Sequence, residues 1–269
     1  MPRTSIGDCQ IYFERNGGGF PVLFVTGLSG YASYWREQIP SFAKHFEVIV
    51  YDHRGFGQSD CVGTATTIER LAADAVKLMD ALGLDRIHLV GHSAGAAVAQ
   101  VLALEHPQRL ASIVLAGGWT KADAYFRRVF GLRKEILSRL GPSSYVQVNS
   151  LFLYPGRYIA ANNEKLRQIE AQALADFSAP EVIAARIDAI LAFDRSADLG
   201  RIRTPTLIVA AQDDLITPAY FSEELARRIP GAEAKFFPQG GHYFTQISYR
   251  EFNQAVLPFL QAHTPGKQA

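Results

Sequence analysis

The sequence predicts an α/β protein built on a mostly parallel sheet. Three observations predict it. Short runs rich in Val, Ile and Leu recur along the chain, and helical patterns separate them. The five residues Gly91-His92-Ser93-Ala94-Gly95 join one such run to an alanine-rich helix. Strands that read as continuous apolar runs are those buried on both faces, as in parallel sheets with helices on either side.

In order, the strand-like runs are residues 9–14, 21–26, 46–51, 86–90, 111–116, 206–211 and 232–237. Between them, 67–82 has helical spacing in Ile68, Leu71, Ala75, Leu78, Met79 and Leu82, and Gly83 stops it. The alternation breaks after Ala116. Residues 125–140, 159–177 and 180–193 read as helices punctuated by Pro142, Pro155 and Pro180, with no convincing strand among them. The expected organisation is a core in two parts, 1–118 and 201–269, with a helical cap or lid at 119–200. Such an insertion is best placed over the carboxyl ends of the strands, where open α/β sheets bind ligands. Residues 264–269 read as a frayed tail.

Composition narrows the function. The 27 Lys and Arg nearly balance 26 Asp and Glu, so nothing points to nucleic acid or an anionic membrane as partner. No apolar run is long enough to span a bilayer, and the polar start predicts no secretory leader. Cys9 and Cys61 lie far apart and form no metal pattern, so two reduced thiols in a cytoplasmic protein are expected. No metal or cofactor is expected, the expected ligand is a small-molecule substrate, and a homodimer is compatible with the sequence.

The pattern G-x-S-x-G between a strand and a helix is that of a nucleophile elbow, in which a tight turn exposes the serine at the top of the sheet. A serine hydroxyl needs a base at neutral pH, and the base needs an orienting acid. Two later segments deliver such groups from strand ends. Gln212-Asp213-Asp214 follows one apolar run, and Gly240-Gly241-His242 follows another. His242 is the candidate base. His92 adjoins the serine, but its ring should point away across so sharp a turn, and His53 precedes Ser93. An oxyanion hole needs two backbone N–H groups. Ala94 supplies one, and Leu28, in the turn Thr26-Gly27-Leu28-Ser29-Gly30, supplies the other. Asp52 and Arg54 are expected to pin their loop through a local ion pair. Arg127, Arg128, Arg133 and Arg157 are candidates to bind a substrate carboxylate. Trp119, Phe152, Tyr243 and Phe244 are candidates for an apolar pocket wall. Of these, Trp119, Arg127, Phe152 and Tyr243 are assigned to the substrate pocket.

The elbow, Asp214, His242, the Thr26-Gly27-Leu28 turn and the Asp52-His53-Arg54-Gly55-Phe56-Gly57 loop resemble the α/β-hydrolase superfamily over nearly the whole chain. The resemblance implies the α/β-hydrolase fold with an inserted all-helical cap. It also implies a Ser93–His242–Asp214 triad. Asp214 is preferred to Asp213 because the family places its acid before a stretch like Leu215-Ile216-Thr217-Pro218. One departure is Thr26-Gly27 where many members carry His-Gly; a backbone donor tolerates the change. Gly27-Leu28-Ser29-Gly30, Ser33-Tyr34-Trp35, Gly118-Trp119, Arg127-Arg128 and Leu151-Phe152-Leu153-Tyr154-Pro155 look like the aminoacrylate hydrolases of uracil catabolism, with 3-oxoadipate enol-lactonases as related enzymes. That likeness implies a small, carboxylate-bearing substrate cleaved at a C–N, ester or lactone bond. A general carboxylesterase or enol-lactonase, a cofactor-free perhydrolase on the same triad, and a non-catalytic receptor on the same fold are the alternatives.

Overall fold

The computed structural model describes residues 2–61 and 66–266; the last three residues of the expected tail lie outside them. The strands are β1 (Arg3–Ser5), β2 (Cys9–Gly17), β3 (Pro21–Val25), β4 (Glu47–Tyr51), β5 (Asp60–Cys61), β6 (Ile87–His92), β7 (Leu110–Ala116), β8 (Thr206–Ala211) and β9 (Glu233–Phe237). They form one sheet in the order β1-β2-β4-β3-β6-β7-β8-β9, with β5 paired to β2. β4, β3, β6, β7, β8 and β9 run parallel, and β1, β2 and β5 add antiparallel pairs at one edge.

The central strands β6, β7 and β8 are buried at every position. Because side chains alternate along a strand, each run feeds two cores. Leu23, Leu89, Ile113 and Ile208 pack on one face, whereas Val22, Val90, Val114 and Val209 pack on the other. β9, at the far edge, presents Glu233 and Lys235 to solvent, as edge strands commonly do.

Helix α1 (Ile39–Phe42) and helix α2 (Ile68–Ala81) flank the sheet. The Thr67 hydroxyl caps α2 by accepting the Arg70 N–H at 3.1 Å. Helix α3 (Ala94–Glu105) is buried from Ala94 through Ala103, and its small side chains let it lie close on the sheet. Between β7 and β8 stand α4 (Ala124–Leu153), α5 (Gly156–Ala161), α6 (Asn163–Ala175) and α7 (Pro180–Ala192). A bridge pairs Lys121 with Asp194, so the chain leaves and rejoins the core at one spot. α4 kinks at Gly141, whose φ of 80° no ordinary helix residue adopts, and Pro142 starts the second half. The chain ends with α8 (Ala219–Arg228), α9 (Phe244–Ile247) and α10 (Tyr249–Ala262). Among the described residues no helix is long and apolar enough to cross a membrane.

β1 and β5 escape a sequence reading because each is too short to show alternation. The second omission hid a pairing. Cys9 and Cys61 face each other in the β2–β5 register, 4.4 Å apart at Cα, and are joined as a disulfide. This corrects the expectation of two reduced thiols.

Candidate active site

Ser93 sits between β6 and α3 at φ 54°, ψ −116°, the one non-glycine residue with positive φ among the described residues. Such a conformation costs about 1–3 kcal/mol and persists only where its surroundings impose it. Here they do. The Ser93 N–H donates to the Ala116 carbonyl at 2.8 Å, and the Ser93 carbonyl accepts from Ala96 N–H at 2.8 Å. The flanking glycines are obligatory. A Cβ at Gly91 would lie 2.2 Å from the Gly95 carbonyl oxygen, and one at Gly95 would lie 2.0 Å from that of Val25.

Asp214 follows β8 and His242 follows β9, so both arrive at the carboxyl edge that carries Ser93. His242 Nδ1 lies 2.8 Å from Asp214 Oδ2. Asp214 Oδ2 also accepts the Thr217 hydroxyl at 2.8 Å, and Oδ1 accepts the N–H groups of Ile216 at 2.7 Å and Thr217 at 2.9 Å. Four donors thus converge on one buried carboxylate. Since a carboxylate only accepts, Nδ1 carries the proton and Nε2 is left as an acceptor. The neighbouring Asp213 has another job: its Oδ1 accepts the Gly241 N–H at 2.8 Å and fixes the loop that holds the histidine.

Ser93 and His242 open on one cavity of about 410 Å³. Among the described residues no hydrogen bond joins the Ser93 hydroxyl to the His242 ring. In resting enzymes such contacts are often long and tighten with substrate bound. Leu28 lines the same cavity, and no hydrogen bond within the described residues consumes its N–H. Ala94 is the first residue of α3, where a backbone N–H has no partner inside the helix.

The α/β-hydrolase fold family matches residues 21–245. The chain belongs to the α/β-hydrolase family. A protein of Azorhizobium caulinodans, provisionally named carbamate hydrolase RutD, is 40% identical over 96% of this chain and 98% of its own length. A thermophilic esterase of Thermogutta terrifontis, solved with malate bound, is 28% identical at a TM-score of 0.87, covering 98% of this chain and 99% of that one. The enol-lactonase of Burkholderia xenovorans superposes at a TM-score of 0.88 with 24% identity, covering 96% and 99%, which speaks to the fold alone.

In this hydrolase the inserted helices line much of the cavity, and they redraw the expected pocket. Tyr243 lines it, edge-on to Tyr34 and Tyr154. Trp119 does not. It is fully buried against Phe126 and Phe193. Phe152 packs on the main core, and Phe244 sits in the core on the opposite face of the sheet. Arg127, Arg128 and Arg157 are exposed. The arginine that reaches the cavity is Arg133, only 5% exposed. Its Nε donates to Asn149 Oδ1 at 2.8 Å, and its guanidinium lies 4.8 Å over the Phe130 ring. No carboxylate lies within salt-bridge distance of it among the described residues. Asn149, Tyr145 and Glu170, which sequence reading missed, complete this wall. The usable signal was helical: Arg133 interrupts the buried stripe Phe126, Phe130, Leu137.

The Asp52-His53-Arg54 loop is pinned, but not by the expected pair. Arg54 makes a bidentate bridge to Asp74 at 2.5 and 2.7 Å, while Asp52 accepts the N–H groups of Ala32 and Gln58. Burial holds the Asp52 carboxyl above its usual range, and those two N–H groups oppose the shift. His53 does not reach the cavity. It is buried beneath Arg186, whose Nη1 lies 3.0 Å from His53 Nδ1.

Proposed function

We propose that this hydrolase works through Ser93 as nucleophile, His242 as general base and acid, and Asp214 as the group that orients the base. The observation that carries the reading is the 2.8 Å contact from His242 Nδ1 to a carboxylate already held by three other donors. Such a carboxylate cannot turn away, so the ring keeps its tautomer and presents Nε2 to the cavity. Ser93, held in a strained turn, presents its hydroxyl to the same cavity.

The Ser93 oxygen attacks the electrophilic carbon as Nε2 takes its proton. The N–H groups of Leu28 and Ala94 stabilise the oxyanion that forms. Nε2 then returns the proton to the departing amine or alcohol. Water, deprotonated by the same nitrogen, releases the second product and restores the serine. One cycle cleaves a C–N, ester or lactone bond without a cofactor.

The substrate in this reading is a small metabolite bearing a carboxylate, with residues 119–200 acting as the cap above it. Arg133 supports this: a buried guanidinium facing a cavity without a carboxylate partner is suited to receive one from a ligand. The C–N bond is favoured over ester or lactone by the carbamate hydrolase name of the relative 40% identical to this chain.

A fluorophosphonate probe tests the chemistry. Labelling is expected at Ser93, absent in Ser93→Ala, and reduced about a hundredfold or more in His242→Ala. Folded wild-type protein that takes no label would overturn the assignment of an activated serine.

A further inference from the structure

We propose that His92 is a positioning residue that sets where the His242 imidazole sits relative to the Ser93 hydroxyl. The proposal rests on the reading of Ser93 and His242 given above. His92 ends β6, directly before the elbow, and its ring turns to the face of the sheet opposite α3. There Nε2 lies 2.9 Å from the backbone carbonyl oxygen of His242. A carbonyl only accepts, so Nε2 donates and Nδ1 is bare.

The ring is held from several sides. Tyr34 stacks on it at 5.0 Å and 18°, and Phe244 meets it edge-on at 6.1 Å. The His242 ring is 4.7 Å away, centroid to centroid. His92 is 2% exposed, and burial pushes its pKa well below the usual histidine range, so the ring stays neutral at neutral pH.

The other anchors of the histidine loop come from elsewhere. Gly241 N–H is held by Asp213 after β8, Tyr243 N–H by the Leu153 carbonyl at the end of α4, and the Thr245 carbonyl by Gln38. Each fixes the loop against a part of the fold other than the nucleophile strand. Among the described residues, His92 alone carries a hydrogen bond from β6 to this segment. Through one side chain it links the backbone beside the nucleophile to the backbone of the base, although Ser93 and His242 lie 149 positions apart in sequence. Proton transfer depends steeply on that separation; a misplacement of about 1 Å costs on the order of a hundredfold.

The test compares two substitutions. His92→Phe keeps an aromatic ring between Tyr34 and Phe244 but has no donor. His92→Gln loses the ring but carries an amide N–H at similar reach. With 4-nitrophenyl acetate, His92→Phe is expected to lower kcat about 10–100-fold with KM changed less than about twofold. The rate of fluorophosphonate labelling should fall in step. His92→Gln is expected to recover most of the loss. If the Phe variant melts below the assay temperature, His92→Leu, smaller and equally without a donor, takes its place. A folded donor-less variant with wild-type kcat, or Phe and Gln variants equally slow, would overturn the proposal. Wild-type protein that fails to label would instead overturn the triad reading on which it rests.

Discussion

The cavity has two walls of different origin. One is built at strand ends: Ser93 after β6 and His242 after β9, with Asp214 after β8 buried behind the histidine. Each of these side chains is set by a turn of a few residues whose own backbone groups are satisfied nearby, as when Ile216 and Thr217 hold Asp214. The other wall is built from the inserted helices, where Arg133, Tyr145 and Asn149 meet across the kink at Gly141. Their placement depends on helix packing over many residues. In the proposed mechanism the first wall carries chemistry common to any substrate, and the second carries the groups that distinguish one substrate from another.

The sharpest way to break this division is to weaken the first wall without changing its shape. Asp214→Asn keeps the hydrogen-bonding volume but favours the wrong histidine tautomer. It is expected to lower kcat on the order of 10³–10⁴-fold, for a neutral ester and for an anionic substrate alike. Steady-state kinetics on both classes decide it. Loss confined to one class would mean that Asp214 reads the substrate, and the division would fail.

How far each wall could be read in the sequence follows the same line. The elbow was legible because its demands are local: a Cβ at Gly91 or Gly95 would fall about 2 Å from a backbone carbonyl oxygen. Asp214 follows the buried run Thr206–Ala211, but its choice over Asp213 rests on the family resemblance, and His242 follows β9, whose first three residues are exposed. The parallel core was legible because runs such as Leu110–Ala116 are buried throughout. The inserted wall was not. Arg127 and Arg133 are six residues apart on one helix, and only the rotation of that helix decides which of them is inside. Phe126 and Phe130 pack inward, which carries Arg133 in and Arg127 out, but that face is chosen by packing against distant elements. Trp119, assigned to the pocket as an aromatic wall residue, is instead buried by the rings of Phe126 and Phe193. The Cys9–Cys61 pairing depends on a two-residue strand that no periodicity can reveal.

Arg133→Gln sharpens the comparison from the other side. Glutamine keeps a polar group beside Asn149 but removes the charge. KM for carboxylate-bearing substrates is expected to rise about 10–100-fold, which corresponds to the loss of one charge-assisted contact of about 1.5–3 kcal/mol. kcat on a neutral ester should change less than about twofold. A matched pair of substrates, acid and methyl ester, provides the measurement. Equal effects on both would assign Arg133 to the packing of the wall rather than to recognition.

The smallest expected effect concerns how firmly the second wall is attached. Asp123 caps α4: its Oδ1 accepts the Phe126 N–H at 2.8 Å, and its Oδ2 accepts the Tyr220 hydroxyl at 2.7 Å. One carboxylate thus closes a helix end and ties the insertion to α8. Asp123→Ala removes both contacts at a half-buried site. The cap is worth about 1 kcal/mol, which for a chain of this size is a fall of about 2–4 °C in Tm. If the two walls are separate in stability as well as origin, amide exchange should quicken in the first turns of α4 and leave β6, β7 and β8 protected. Exchange that quickens equally in the central strands would show that insertion and core unfold as one unit, and the contrast between the walls would then be one of chemistry only.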